Sequence, residues 1–310
     1  MHRYSFVLPT KDVLKRLLGI RFGRLYQYAP KPLSVSSIKI KKNNNDDLPS
    51  ILIVTPSFNQ VQFVAETVQS VLEQTYPDLE YIVQDACSTD GTADILHTFL
   101  GKGVDIRIEP DKGQTDALNK GFARTTGEIM GYLNSDDLLL PGILHFVGQY
   151  FRDNPDVDVI YGNRLIVDAY GREVGRWILP GHDQQLLRYV DYVPQESMFW
   201  RRRIWDRIGG CFDARLHFAM DWDLIVRFLD AGAVFRHLPE LFGVFRAHGT
   251  QKTQVDFAAH GAKEIADIRE RYPEPGMKRL ARLVRHGQYL LAHRRADAAF
   301  AATLCTRNNT

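Results

Sequence analysis

From Ile51 onward the chain alternates between short β-branched runs and stretches whose apolar residues recur every three or four positions. "ILIVTPSF" (51–58) reads as a strand ended by Pro and Ser. Residues 60–74 carry Val64, Val68, Val71 and Leu72 at helical spacing. Strands are predicted again over 79–86, 104–110 and 128–134, with helices over 92–103 and 114–127 and a further helix signal at Pro141. Strand and helix alternating through short turns imply right-handed crossovers and a parallel sheet covered on both faces. In such a sheet the ligand crevice lies outside the carboxyl ends of the strands, where the strand order reverses. Asp85, Asp136 and Asp137 all fall at predicted strand ends.

After about residue 155 the pattern is mixed. Residues 158–178 read as two strands around Ala-Tyr-Gly, 195–210 as a strand and short helix, 219–232 as a helix closed by Gly, and 233–249 as strand and loop. Beyond His260 the spacing is helical and basic. Upstream, residues 10–28 place Val13, Leu14, Leu17, Leu18, Phe22 and Leu25 on one helical face, with Lys and Arg mostly elsewhere, and the polar stretch 41–50 reads as a linker. That helix fits either docking on its own domain or lying on an anionic membrane.

Charge sharpens this division. Residues 1–47 carry a net +7, residues 48–259 a net −10 and residues 260–310 a net +5, within a chain of 310 residues and net charge +2. Cys87, Cys211 and Cys305 are too scattered for a zinc site or a disulfide framework. With no long apolar run and no signal-peptide core, the expectation is a cytoplasmic protein, peripheral at most on the inner face of the membrane.

The chemistry concentrates where the fourth strand runs into Asn134-Ser135-Asp136-Asp137. Paired carboxylates there repel each other and lose solvation, which a divalent cation would relieve. Six segments succeed one another at compatible spacing: "TPSFNQ", "VQDACSTDGT", "EPDKGQTDALNKGF", "GEIMGYLNSDD", "PQESMFWRR" and "MDWDLIVRF". Together they resemble glycosyltransferase family 2, the nucleotide-sugar-dependent enzymes of the GT-A fold, over roughly residues 50–250. The resemblance implies an α/β fold with a mostly parallel sheet flanked by helices and basic helical extensions at both termini. The division it implies is 1–47 as extension and linker, 48–250 as the glycosyltransferase domain (48–140 nucleotide-binding, 141–250 acceptor) and 251–310 as a helical extension.

By the same resemblance the activity is inverting transfer from a nucleoside diphosphate sugar, a UDP-sugar by the family's habit. The acceptor is a glycan or lipid-linked hydroxyl in cell-surface glycan or polysaccharide biosynthesis, and no nucleic acid is involved. Mg²⁺ or Mn²⁺ would be held through Asp136, with Asp137 beside it and His248 approaching from a later loop. Asn134 stands where the family's D-x-D motif has its first Asp, and Ala86-Cys87 where relatives often carry Gly. Thr55, Pro56, Phe58, Asn59, Asp85, Asp116, Asn134 and Asp136 would bind the nucleotide sugar. Asp221 takes the position of the catalytic base, behind Met220 where relatives often have Glu, and Asp223 supports its helix.

Each assignment has a plainer counterpart. Taken alone, outside the series of motifs, Asp136-Asp137 reads as a turn, Asp85 as a helix cap, Asp221 as a first-turn residue facing the helix dipole, and His248 as a surface histidine. Arg201–Arg203 reads as a solvated helix start and Cys87 as a small packing residue. Two other functional classes stay open: a binding protein that keeps the pocket without transfer, and a nucleotidyltransferase. The second is disfavoured because "TPSFNQ" lacks the glycines of a phosphate loop. A dehydrogenase is disfavoured because no G-x-G-x-x-G follows the first strand.

Overall fold

β1 (Ile51–Ser57) is buried along its whole length, so its alternation sends Ile51 and Ile53 to one face of a sheet and Leu52 and Val54 to the other. The first pair packs against α1 (Val64–Leu72) and α4 (Ile143–Asp153), the second against Leu118 and Phe122 of α3 (Gln114–Phe122) and the aromatic core beyond them. Two cores on opposite faces of one sheet result. The structure, a computed structural model, describes residues 22–33, 47–249, 260–273 and 278–307. The amphipathic positions from Val13 to Leu18 and most of the stretch 41–50 lie outside them.

The other strands are β2 (Leu79–Asp85), β3 (Asp105–Ile108), β4 (Ile129–Tyr132), β5 (Leu138–Leu139), β6 (Val159–Asp168), β7 (Glu173–Trp177), β8 (Met198–Arg201) and β9 (Phe235–Ala247). Their order is β3-β2-β1-β4-β8-β6-β9-β5, with β7 beside β6. The β3-β2-β1-β4 block is parallel, as the alternation predicts, and the order reverses between β1 and β4. Beyond β4 the sheet is mixed: β8 runs antiparallel to both neighbours, whereas β9 runs parallel to β6. The predicted strand and loop over 233–249 is one strand, β9. It tolerates Pro239 because its register against β6 shifts beside Asn163, whose amide donates to the Pro239 carbonyl at 2.7 Å.

The helices α2 (Thr92–His97), α5 (Gln184–Leu187), α6 (Arg202–Arg207), α7 (Met220–Asp230), α8 (Ala262–Arg271) and α9 (Arg279–Arg307) complete the described chain. Two expectations change here. Residues 22–28 are not helical: Gly23 turns at φ +80°, and the following segment lies along β7, with Gln27 N–H donating to Val174 O at 2.8 Å and Glu173 N–H to Lys31 O at 2.8 Å. Phe22 is buried, its ring tilted against that of Trp177 with centroids 4.8 Å apart, so this part of the apolar face docks on the protein's own domain. The segment also covers an edge strand that would otherwise present unpaired backbone.

Of Arg201–Arg203, read as a solvated run, only Arg203 is exposed. Arg201 is buried and donates to the carbonyls of Phe151, Asn154 and Val157 at the end of α4, and it pairs with Glu128. Arg202 donates to Gly127 O at 2.8 Å and Arg203 to Asp158 at 2.7 Å. The three arginines pin β4, β8 and the α4 terminus together.

Candidate active site

The reversal between β1 and β4 opens a cavity of ≈ 890 Å³ at the carboxyl ends of the strands. Pro56, Phe58, Asn134, Asp136, Asp137, Asp221 and His248 line it, although they come from three distant parts of the sequence. Thr55, Asn59, Asp85 and Asp116 do not. Thr55 is buried with its hydroxyl 3.1 Å from that of Tyr81. Asp85 is fully buried and accepts from the N–H and hydroxyl of Ser88 at 2.9 and 2.7 Å, while Asn59 bonds Ser88 and Thr89. These residues stitch the β1 and β2 loops together. Asp116 accepts from Lys112 N–H at 3.0 Å and pairs with Lys120, and Asp111 lines the cavity in its place.

The position of the Asp136-Asp137 pair is set by β5, the next strand along the chain. β5 pairs antiparallel with β9, matching Leu138 to Val244 and Leu139 to Gly243. The approach is close: a Cβ on Gly243 would sit 2.8 Å from Glu196 Cγ and 3.3 Å from Leu138 O. The end of β9 is thereby laid over the two carboxylates. Asp137 Oδ1 accepts from Arg246 N–H at 3.0 Å, and Asp136 Oδ2 lies 2.9 Å from His248 Nε2. Arg246 adds a bond to the Asp136 carbonyl at 3.0 Å and an ion pair with Glu66. The two acids consequently differ in kind. Asp137 is buried, and burial, then the charges of Asp136 and Glu196, raises its carboxyl well above the usual range. Asp136 lines the cavity, its side chain beside His248.

Asn134 is held by three side chains. Its carbonyl accepts from Gln114 Nε2 at 2.7 Å, and its amide donates to Gln195 Oε1 at 3.0 Å and Asp137 Oδ2 at 3.3 Å. Gln195 is fixed in turn because its own amide donates to Tyr132 O at 2.7 Å. A carboxylate at position 134 has no proton to offer Gln195. The departure from D-x-D therefore has an internal partner. Cys87 has none of that kind: it is exposed rather than packed, and its φ of +57° is the left-handed conformation that glycine adopts freely and other residues at a cost of ~1–2 kcal/mol.

On the opposite wall, α7 presents Asp221 in its first turn. The N-terminal approach to that helix is fixed by Glu264 of α8, which accepts from the N–H groups of His217, Phe218 and Ala219 at 2.8–2.9 Å. Burial opposes ionisation of Glu264, but these donors outweigh it and lower its carboxyl. Met220 turns inward, its sulfur 3.1 Å from the Thr115 hydroxyl. Asp223 is fully buried and paired with Arg227 at 2.8 Å.

Besides Asp111, Gln114 and Gln195, sequence reasoning missed the charged lining residues Asp191, Arg164 and Glu196. Asp191 is water-accessible through the cavity, yet surrounding protein, then the charge of Asp221, raises its carboxyl well above the usual range. Arg164 and Glu196 form a buried pair at 3.3 Å, with the guanidinium 3.6 Å over the Trp177 ring. Glu196 lies inside the quoted "PQESMFWRR" and could have been found there, but Asp191 and Arg164 sit in stretches without a motif. Among the described residues, six carboxylates line the cavity (Asp111, Asp136, Asp137, Asp191, Glu196 and Asp221) against one arginine.

Comparison with known proteins fits this geometry. "O-antigen biosynthesis protein RfbC" of Myxococcus xanthus is 31% identical over 200 residues, 62% of this chain but only 15% of that longer protein. "PGL/p-HBAD biosynthesis glycosyltransferase" of Mycobacterium tuberculosis (strain ATCC 25177 / H37Ra) is 27% identical over 206 residues, covering 65% of this chain and 78% of its own. Among solved structures, the mannosyltransferase PcManGT from Pyrobaculum calidifontis, in complex with GDP-Man and Mn²⁺, superposes with a TM-score of 0.58 over 95% of this chain and 81% of its own. At 19% identity that is a likeness of fold, and it is the GT-A fold. The description "Glycosyl transferase family 2" matches residues 52–213, more than half of the chain, and with the ordered motifs and the strand-end cavity this places the protein in glycosyltransferase family 2.

Proposed function

We propose that this protein transfers a glycosyl group from a nucleoside diphosphate sugar to an acceptor hydroxyl, with inversion at the anomeric carbon and with Mg²⁺ or Mn²⁺. The observation that carries the reading is a juxtaposition: the Asp136–His248 pair and Asp221 line one cavity at the sheet's reversal point. No cluster of three metal-binding side chains occurs among the described residues. The pair nevertheless fits, because Mg²⁺ characteristically takes one or two carboxylates and completes its shell with phosphate oxygens and water. When bound, the cation stabilises the charge growing on the departing diphosphate.

The chain's own residues supply the rest. Asp136 and His248 would hold the cation, and the exposed ring of Phe58, at the cavity's edge, offers a stacking face to the nucleotide base. Asp221 would accept the acceptor's proton as that oxygen attacks from the side opposite the leaving group, so one base suffices and no covalent sugar intermediate is needed. Residues 48–140 serve as the nucleotide half, contributing Pro56, Phe58 and Gln114, and 141–250 as the acceptor half, contributing Asp191 and Asp221. UDP-sugars are the first donors to test; the GDP-Man and Mn²⁺ held by the PcManGT structure support a nucleotide-sugar donor and a divalent metal. The relatives' names in O-antigen and glycolipid biosynthesis support a glycan or lipid-linked acceptor, reached at the inner face of a membrane.

The test is nucleotide release across a panel of nucleotide sugars, with Mn²⁺ and with excess EDTA. One donor should turn over in Mn²⁺, and Asp136→Ala should lose metal-dependent nucleotide binding. Full turnover in EDTA overturns the metal assignment. Release from no donor overturns transfer itself.

A further inference from the structure

The 29-residue helix α9 packs on the domain by one face and leaves an apolar stripe on the other. On the packed face Tyr289 and His293 are buried against Phe22, His293 bonds Ile178 O at 2.7 Å, and Asp297 pairs with Arg176 at 2.6 Å. Those positions recur every four residues, so they form one side. Opposite them lie Leu280 (72% exposed), Leu283 (58%), Val284 (53%) and Leu291 (46%), at spacings of three, four and seven. Single exposed leucines need no explanation, but an aligned stripe of them does.

The charge around the stripe says what covers it. Arg294 and Arg295 continue the exposed side and make no ion pair among the described residues. Asp297 is the only acid between Arg279 and Arg307, and Arg176 engages it on the packed side. A second copy of the helix would bring arginines with no carboxylate to meet them. An anionic lipid surface meets both the stripe and the cations. No described helix is long and apolar enough to cross a membrane, so α9 would lie along the interface.

We propose that α9 is a membrane-docking helix whose Leu280–Leu283–Val284–Leu291 stripe enters the headgroup region of an anionic bilayer while Arg294 and Arg295 contact its phosphates. This surface is distinct from the basic residues 1–21. Its packed face holds Arg176 and Ile178, the neighbours of the cavity residue Trp177, so docking brings a wall of the site to the bilayer. A lipid-linked acceptor is then the favoured class; that consequence rests on the transfer reading, whereas the docking does not.

The experiment is co-sedimentation of the full chain with phosphatidylcholine vesicles, with and without phosphatidylglycerol. It compares wild type with Arg294→Ala/Arg295→Ala and with Leu283→Gln/Leu291→Gln. All four side chains are exposed, so thermal midpoints should match wild type. Wild type should bind only the anionic vesicles. The arginine variant should bind about 30-fold more weakly, the equivalent of ~1 kcal/mol for each basic residue at an anionic surface, and the leucine variant should also bind more weakly. Three results would overturn the proposal: variants that bind like wild type because residues 1–21 carry all the affinity, equal binding to neutral vesicles, or a wild-type dimer in sedimentation velocity that the leucine substitutions dissolve.

Discussion

Replacing Asn134 by Asp restores the family's D-x-D pattern, and the structure says that this should weaken the protein. The carboxylate can still accept from Gln114 Nε2, now at 2.7 Å from the amide oxygen. It cannot donate to Gln195 Oε1, which lies 3.0 Å from the present amide. Gln195 cannot compensate by flipping, because its own amide is committed to Tyr132 O at 2.7 Å. One half-buried acceptor is left facing a carboxylate, at ~1–3 kcal/mol. The bond to Asp137 can survive, since the raised Asp137 carboxyl has a proton to offer in the other direction. Adding a modest repulsion from the neighbouring acids, the expected loss is about 2 kcal/mol at neutral pH.

The assay is urea denaturation of both proteins without metal, at neutral pH and again in acid. A carboxyl among like charges has a folded-state pKa above its unfolded value, so the penalty should be full above the folded pKa and fade below the unfolded one. Mn²⁺ should recover part of the loss. If Asn134→Asp equals wild type at neutral pH without metal, within ~0.5 kcal/mol, the amide network is not what fixes Asn134.

Two further outcomes concern the opposite wall. Asp221→Asn should lower transfer ~10²–10⁴-fold with little change in donor dissociation constant, while Asp223→Asn should instead destabilise the fold through the half-satisfied Arg227; wild-type rates in Asp221→Asn would move the base elsewhere. Asp191 keeps its proton in the folded state beyond the pH at which the unfolded chain loses it, so it draws stability down as pH rises; Asp191→Asn should raise the thermal midpoint at about pH 8 and leave it unchanged below about pH 4, and no gain at the higher pH would refute the raised carboxyl.

Local pattern carried the first half of the sheet. β1 to β4 and the helices between them are short-range alternations whose periods of about 2 and 3.6 show in sequence, and their parallel pairing comes from the crossovers. The second half was less legible because its pairings are long-range: β9 meets β6 some 75 residues away and clamps β5, a two-residue strand that no periodicity can announce. The same reach hid Asp191 and Arg164, whose roles depend on facing Asp221 and Glu196. Arg201–Arg203 misled for the reverse reason. A charged run is solvated by default, and only the free carbonyls ending α4 make burying Arg201 worthwhile. The loop acids Asp85 and Asp116 carry the family's motif, but their hydrogen bonds run within their own loops.

The cavity's charge bears on how a cation and an anionic donor would be received. Among the described residues, six carboxylates against one arginine cannot all ionise without severe repulsion, and a diphosphate would only add to it. Burial raises the carboxyls of Asp137 and Glu196, against the opposing pull of Arg164 on Glu196, and Asp221 reinforces the rise at Asp191, so these groups resist ionising together. Asp111 is raised by burial as well. On the proposed metal reading, Asp136, with His248 beside it, would be the carboxylate that accepts a cation. On that reading a cation and an anionic donor would lower each other's cost of entry, making their binding mutually dependent. That coupling would sit one side chain away from Asn134, the position at which this chain departs from its family by giving up a charge and gaining a fixed hydrogen-bond network.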